Sequence, residues 1–122
     1  MFRDNLVRLR HMADAAREAI AFAEHRRRED LDHDRMLALS LVKCIEIVGE
    51  AASQVSDDFC REHPEIPWRH IVGMRHRLIH AYYSVDMDRV WDTITDDLPP
   101  LLAALESMIE SLILPPTVKT ND

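Results

Sequence analysis

Apolar residues recur along this chain at alternating intervals of three and four, and glycine occurs only twice, at Gly49 and Gly73. The first stripe, Leu6, Leu9, Ala13, Ala16, Ile20 and Ala23, has the spacing of one α-helical face. Two Gly against 6 Pro leave few of the positive-φ positions that tight hairpins need. Aromatic residues make up only 6% of the chain, while Leu, Ala, Arg, Glu and Met abound. The reading is an all-α fold, an up-and-down bundle of four to five helices. A length of 122 residues makes one domain, and 47% apolar with 30% charged residues excludes general disorder.

The first helix is expected from about Asp4, as its cap, to Arg28, where Arg26-Arg27-Arg28 reads as a solvated helix end that complements the dipole. A second should begin near Asp32 or Asp34 and reach about Cys60, with Leu37, Leu41, Cys44, Ile45, Val48, Ala52 and Val55 as its stripe. Gly49 costs about 1 kcal/mol inside a helix, which is tolerable where another backbone passes closely. Glu46 and Glu50, one turn apart, face solvent, a partner subunit or an Arg. Pro64 and Pro67 stop this helix, and Pro67 suits the first position of a third. Trp68, Ile71, Val72, Leu78, Ile79 and Tyr82 then continue at helical intervals. Asp86 caps a fourth helix carrying Val90, Trp91 and Ile94. Pro99-Pro100 either starts a fifth or kinks a continuous one. The domain is expected over 1–114, with 115–122 a flexible polar tail.

The net charge of −7 argues against a protein that coats duplex DNA with a broad basic face. Lys43 and Lys119 are the only lysines, so the cations are mostly Arg, whose planar fork suits carboxylate or phosphate. Cys44 and Cys60 form no C-x-x-C pair, which leaves no zinc ribbon or redox motif, and Cys44 falls within an apolar stripe. No apolar run approaches the ~20 residues of a membrane span, and the expected location is cytoplasmic.

One segment departs from this pattern. Residues 74–83 gather Arg75, Arg77, His76, His80, Tyr82 and Tyr83 and contain no carboxylate. Across residues 61–80 the net charge is +2, in a chain of −7. Such a positive island is where an anionic ligand settles. On one straight helix Arg75 and His80 diverge by about 140°, so they meet at one phosphate only at a frayed helix end or across a twofold axis. A homodimer would let each Arg and His pair contribute to one cleft. His76 and His80 also have the separation of two zinc ligands on a helix face, but a third ligand is not apparent and no H-E-x-x-H occurs. On the residues alone, a phosphate site and an ordinary packed helix face both remain open.

The string Arg75-His76-Arg77-Leu78-Ile79-His80-Ala81-Tyr82 resembles the Arg, four residues, His, one residue, Tyr motif of HepT-like toxins, members of the HEPN superfamily. Four further segments resemble the family in order: Glu46-Ile47-Val48-Gly49-Glu50-Ala51-Ala52, Pro64-Glu65-Ile66-Pro67-Trp68, Val85-Asp86 and Asp97-Leu98-Pro99-Pro100-Leu101-Leu102. The resemblance runs from about Asp4 to Ile113. One departure is His76, where a small polar residue such as Asn is frequent.

The resemblance implies a HEPN-like helical homodimer acting as a metal-independent endoribonuclease without a cofactor, the toxin of a type VII-like toxin–antitoxin pair. Its partner would be a minimal nucleotidyltransferase antitoxin of the MNT type, which in related pairs transfers AMP onto the motif tyrosine, here Tyr82. Arg75 and His80 are then the catalytic pair acting on RNA. His80 would serve as general acid or base, and Arg75 would hold the scissile phosphate. His76 and Arg77 would track neighbouring phosphates, and Tyr82 or Tyr83 would stack on a base. The competing reading is a binding module in which the same residues hold a nucleotide or a partner without turnover.

Overall fold

A computed structural model describes residues 2–81 and 84–114. Tyr82, Tyr83 and the expected tail at 115–122 lie outside the described residues. In chain order the elements are α1 (Phe2–Ala23), α2 (Asp30–His33), α3 (Arg35–Ser53), α4 (Asp57–Glu62), α5 (Trp68–Val72), α6 (Met74–Leu78), β1 (Ile79–Ala81), β2 (Ser84–Val85), α7 (Met87–Asp92), a π-helical turn (Thr93–Asp97) and α8 (Leu98–Ile113). The all-α expectation holds, and the one ladder among the described residues is the short antiparallel pair β1–β2.

Three elements frame the core: α1 packs on both α3 and α8, while α5 and α6 lie against α3. Leu9, Met12, Leu41, Ile45, Val48, Ile71, Leu78, Ile94 and Leu105 are essentially sealed from solvent. Cys44 is among the buried residues, and that burial pushes its thiol up to about 11, the behaviour of a small hydrophobe.

The α1 helix ends at Ala23, earlier than the expected Arg28, because His25 takes a left-handed conformation with φ 65°. Its Arg triplet therefore lies beyond the helix and serves ion pairs instead of the dipole. Arg26 Nη2 meets Asp34 Oδ2 at 2.7 Å, and Arg28 Nε meets Asp88 Oδ1 at 2.6 Å. Asp4 sits in the first turn of α1, not at its cap. Asp34 does cap α3, accepting from the Leu37 N–H at 3.0 Å, and the Arg26 guanidinium together with this N–H holds its carboxyl below the usual range.

The second helix is not continuous to Cys60. Val55 turns into the core, and Ser56 accepts from the Phe59 N–H to cap a new helix. Asn5 of α1 secures this break: its carbonyl oxygen accepts from the Ser56 N–H at 3.0 Å, and its amide donates to Ser56 Oγ at 3.1 Å. A buried amide thus finds both partners at one residue.

Pro99 and Pro100 neither break nor restart the last helix. The backbone stays helical from α7 through the π turn into α8. Widening the turn just before the prolines accommodates their missing N–H groups and the ring clash with preceding carbonyls. No helix among the described residues is long and apolar enough to cross a membrane.

Candidate active site

The third helix stops well before Tyr82. Gly73 separates α5 from α6, and α6 itself ends at Leu78. Met74 and Leu78 are the buried residues of this short helix, so its apolar side faces the core and Arg75, His76 and Arg77 are exposed. The chain then becomes a strand, held by an Asp86 N–H donating to the Leu78 carbonyl at 2.6 Å.

This transition changes the relation between the motif residues. Arg75 lies on the helix and His80 on the strand two residues past its end, so the helical angle between them no longer applies. The zinc-ligand spacing of His76 and His80 lapses for the same reason. In the ladder Ile79 pairs with Val85 and Ala81 with Ser84, which makes His80 the extra residue of a bulge. Bulges of this kind bend a strand and gather near active sites. Tyr82 and Tyr83 fall outside the described residues.

Arg75 reaches back to α3. Its Nε donates to Glu46 Oε2 at 3.1 Å, and Lys43 Nζ stands 3.9 Å from Glu46 Oε1. Of the three neighbours open to Glu46 from sequence (solvent, a partner subunit or an Arg), it is an Arg that it meets. A groove of about 420 Å³ opens here, lined by Arg8 and His11 of α1, by Lys43, Glu46 and Glu50 of α3, and by Arg75. A smaller hollow of about 190 Å³ also borders Arg75; it shares Glu46 and Glu50 and adds Ser53 and His76. Glu46 is flanked by two cations, which leaves the Arg8 guanidinium as a further cation, with the His11 imidazole beside it, for an anionic ligand in the groove.

Arg77 is placed otherwise. Its guanidinium lies across Gly73, where a Cβ would stand 3.1 Å from Nη1, and it donates to the His70 carbonyl. It thus satisfies a carbonyl at the C-terminal end of α5, a contact that also suits the dipole.

The position of Arg75 depends on how closely two backbones approach. A Cβ on Gly49 would stand 3.3 Å from the Ile71 carbonyl oxygen and 3.6 Å from that of Val72. A hydrogen at that position lets α5 settle against α3 without displacing either backbone, which in turn brings α6 within reach of Glu46.

A sequence model of the family described as Ribonuclease HepT-like matches residues 12–108. The chain belongs to the HepT-like ribonuclease family. It is similar to a protein of Thermococcus cleftensis named "Probable ribonuclease HepT", with 41% identity over 80 residues, 66% of this chain and 73% of the relative. A protein of Caldanaerobacter subterraneus subsp. tengcongensis with a "Putative RNase" name is 34% identical over 82 residues, 67% of this chain and 73% of its own. Another so named, from Methanocaldococcus jannaschii, is 30% identical over 95 residues and covers 78% of each chain. No solved structure matches the chain.

Within this HepT-like chain, Arg8, His11 and Lys43 were not singled out by sequence reasoning as site residues. Nothing local distinguishes them from other exposed cations on amphipathic helices. The charge of Lys43 three residues before Glu46 is a faint signal, since that spacing places both on one helix face.

Proposed function

We propose that this chain is a metal-independent endoribonuclease acting as a homodimer, the toxin of a type VII-like toxin–antitoxin pair. Family membership supports the ribonuclease activity. The observation that carries the site assignment is Arg75, half exposed on a short helix at the head of a groove, with His80 on the bulged strand that immediately follows.

RNA brings its own nucleophile. One His80 imidazole takes the proton of a ribose 2′-hydroxyl, and the 2′-oxygen attacks the adjacent phosphorus. Charge gathers on the non-bridging oxygens, where the Arg75 guanidinium offsets it. The bond from phosphorus to the 5′-oxygen breaks, and that oxygen receives a proton from the partner subunit's imidazole. The products are a 2′,3′-cyclic phosphate and a 5′-hydroxyl, with no water consumed. His76 lies beside Arg75 and serves a neighbouring phosphate, while Arg77 reaches one only by leaving the His70 carbonyl. Tyr82 or Tyr83 stacks on a base.

The partner is an MNT-type nucleotidyltransferase antitoxin that transfers AMP onto Tyr82. The added bulk and negative charge beside His80 would oppose RNA entry.

Incubating the purified chain with RNA in excess chelator tests this reading. Cleavage should persist and leave cyclic phosphate ends. RNA binding without cleavage would make the protein a binding module, and activity lost to the chelator would make it a metal hydrolase. Tyr82→Phe should still cut RNA and escape AMP transfer, as read by intact mass after incubation with ATP and antitoxin. An AMP adduct on that variant would place the modification elsewhere.

A further inference from the structure

The carboxylate of Glu46 holds Arg75 by its Nε–H at 3.1 Å, an ion pair that joins residues 29 positions apart. A guanidinium carries five N–H donors, and those on the two terminal nitrogens form its outward fork. Engagement through Nε fixes the plane of the group and leaves that fork for a ligand. The second carboxylate oxygen faces Lys43 Nζ at 3.9 Å, so Glu46 is itself restrained from the opposite side. Glu46 is only 31% exposed, against 50% for Arg75, which places the anchor deeper than the group it anchors.

We propose that Glu46 is the positioning residue for Arg75, aiming its terminal nitrogens at the scissile phosphate. This rests on the reading of Arg75 as the phosphate-holding group. A carboxylate beside an RNA-binding arginine, even one paired as Glu46 is, is otherwise a liability, because its negative charge opposes the substrate it lies next to. Its presence is explained if the geometry it imposes is worth more in the transition state than its charge loses in the ground state.

The two effects have opposite signs and can be separated. Glu46→Ala should lower kcat by at least about tenfold, within the ~10²-fold that a 1 Å misplacement can cost. The same variant should bind an uncleavable RNA, 2′-deoxy at the scissile nucleotide, as tightly as wild type or more tightly, because one negative charge has left the groove. Glu46→Gln keeps an oxygen that accepts from Nε, and it should recover most of the lost turnover. Wild-type kcat in Glu46→Ala overturns the proposal. So does an equal loss in the Ala and Gln variants, or a weakening of analogue binding in step with kcat. Arg75→Ala serves as the reference: if it still cuts RNA, the reading of Arg75 itself falls. If it is inactive while Glu46→Ala is not, only the role of Glu46 is lost.

Discussion

Replacing His80 with Ala is expected to reduce RNA cleavage by about 10²–10⁴-fold, the usual contribution of a positioned acid or base. Arg75→Ala should cost about 10²–10³-fold, as removal of a single charge-stabilising donor does elsewhere. In both variants the melting temperature and the mass in solution should stay close to wild type. The Arg75 side chain is half exposed, and its pair with Glu46 is a surface pair of small net stability. Lys43 remains beside Glu46 when the guanidinium is gone, so no isolated charge is stranded. Arg75→Lys adds a finer test, because it keeps the charge but not the planar fork, and its activity should fall between Ala and wild type. Full activity in both Ala variants would remove these residues from the chemistry.

The second large effect belongs to Gly49. In an isolated helix Gly→Ala gains about 1 kcal/mol, and most other residues also improve on glycine. Here that gain meets the Ile71 carbonyl oxygen 3.3 Å from the new Cβ. Gly49→Ala should therefore come out near neutral. Gly49→Val adds two methyl groups at the α3–α5 contact and should destabilise by about 1–3 kcal/mol, lowering Tm by several degrees. It should also impair cleavage at temperatures where the variant is fully folded, because α5 and α6 move away from Glu46 together. Thermal unfolding alongside RNA cleavage checks both halves. A Val variant that is more stable than wild type would show that the helices have room between them.

Much of this was legible from short-range pattern. The helical class, the helix start near Asp32 or Asp34, the cap at Asp86, the buried Cys44 and the close approach at Gly49 all follow from residue type and spacing. The breaks were harder to see because apolar spacing continues across them. Val55 and Phe59 keep helical intervals through the turn at Ser56, although a serine followed by Asp57-Asp58 is a good helix start. Ile79 likewise continues the stripe of Ile71, Val72 and Leu78, yet Ile79 itself, with Tyr82, Tyr83 and Val85 after it, is of the residue types that favour an extended chain. Nothing local announces the left-handed His25 or the π turn. The pair of Arg75 with Glu46 is a tertiary fact: sequence allowed an arginine as one partner among three and could not say which.

The helix that carries Arg75 is five residues long, bounded by Gly73 and by the start of β1. So short a rod has almost no stiffness of its own, and its direction is set by Met74 and Leu78 seated beneath it. The alignment proposed for Arg75 is therefore borrowed from the hydrophobic interior. A molecule whose interior loosens loses its aim before it loses its helices, so turnover reports the integrity of side-chain packing more sensitively than helical content can.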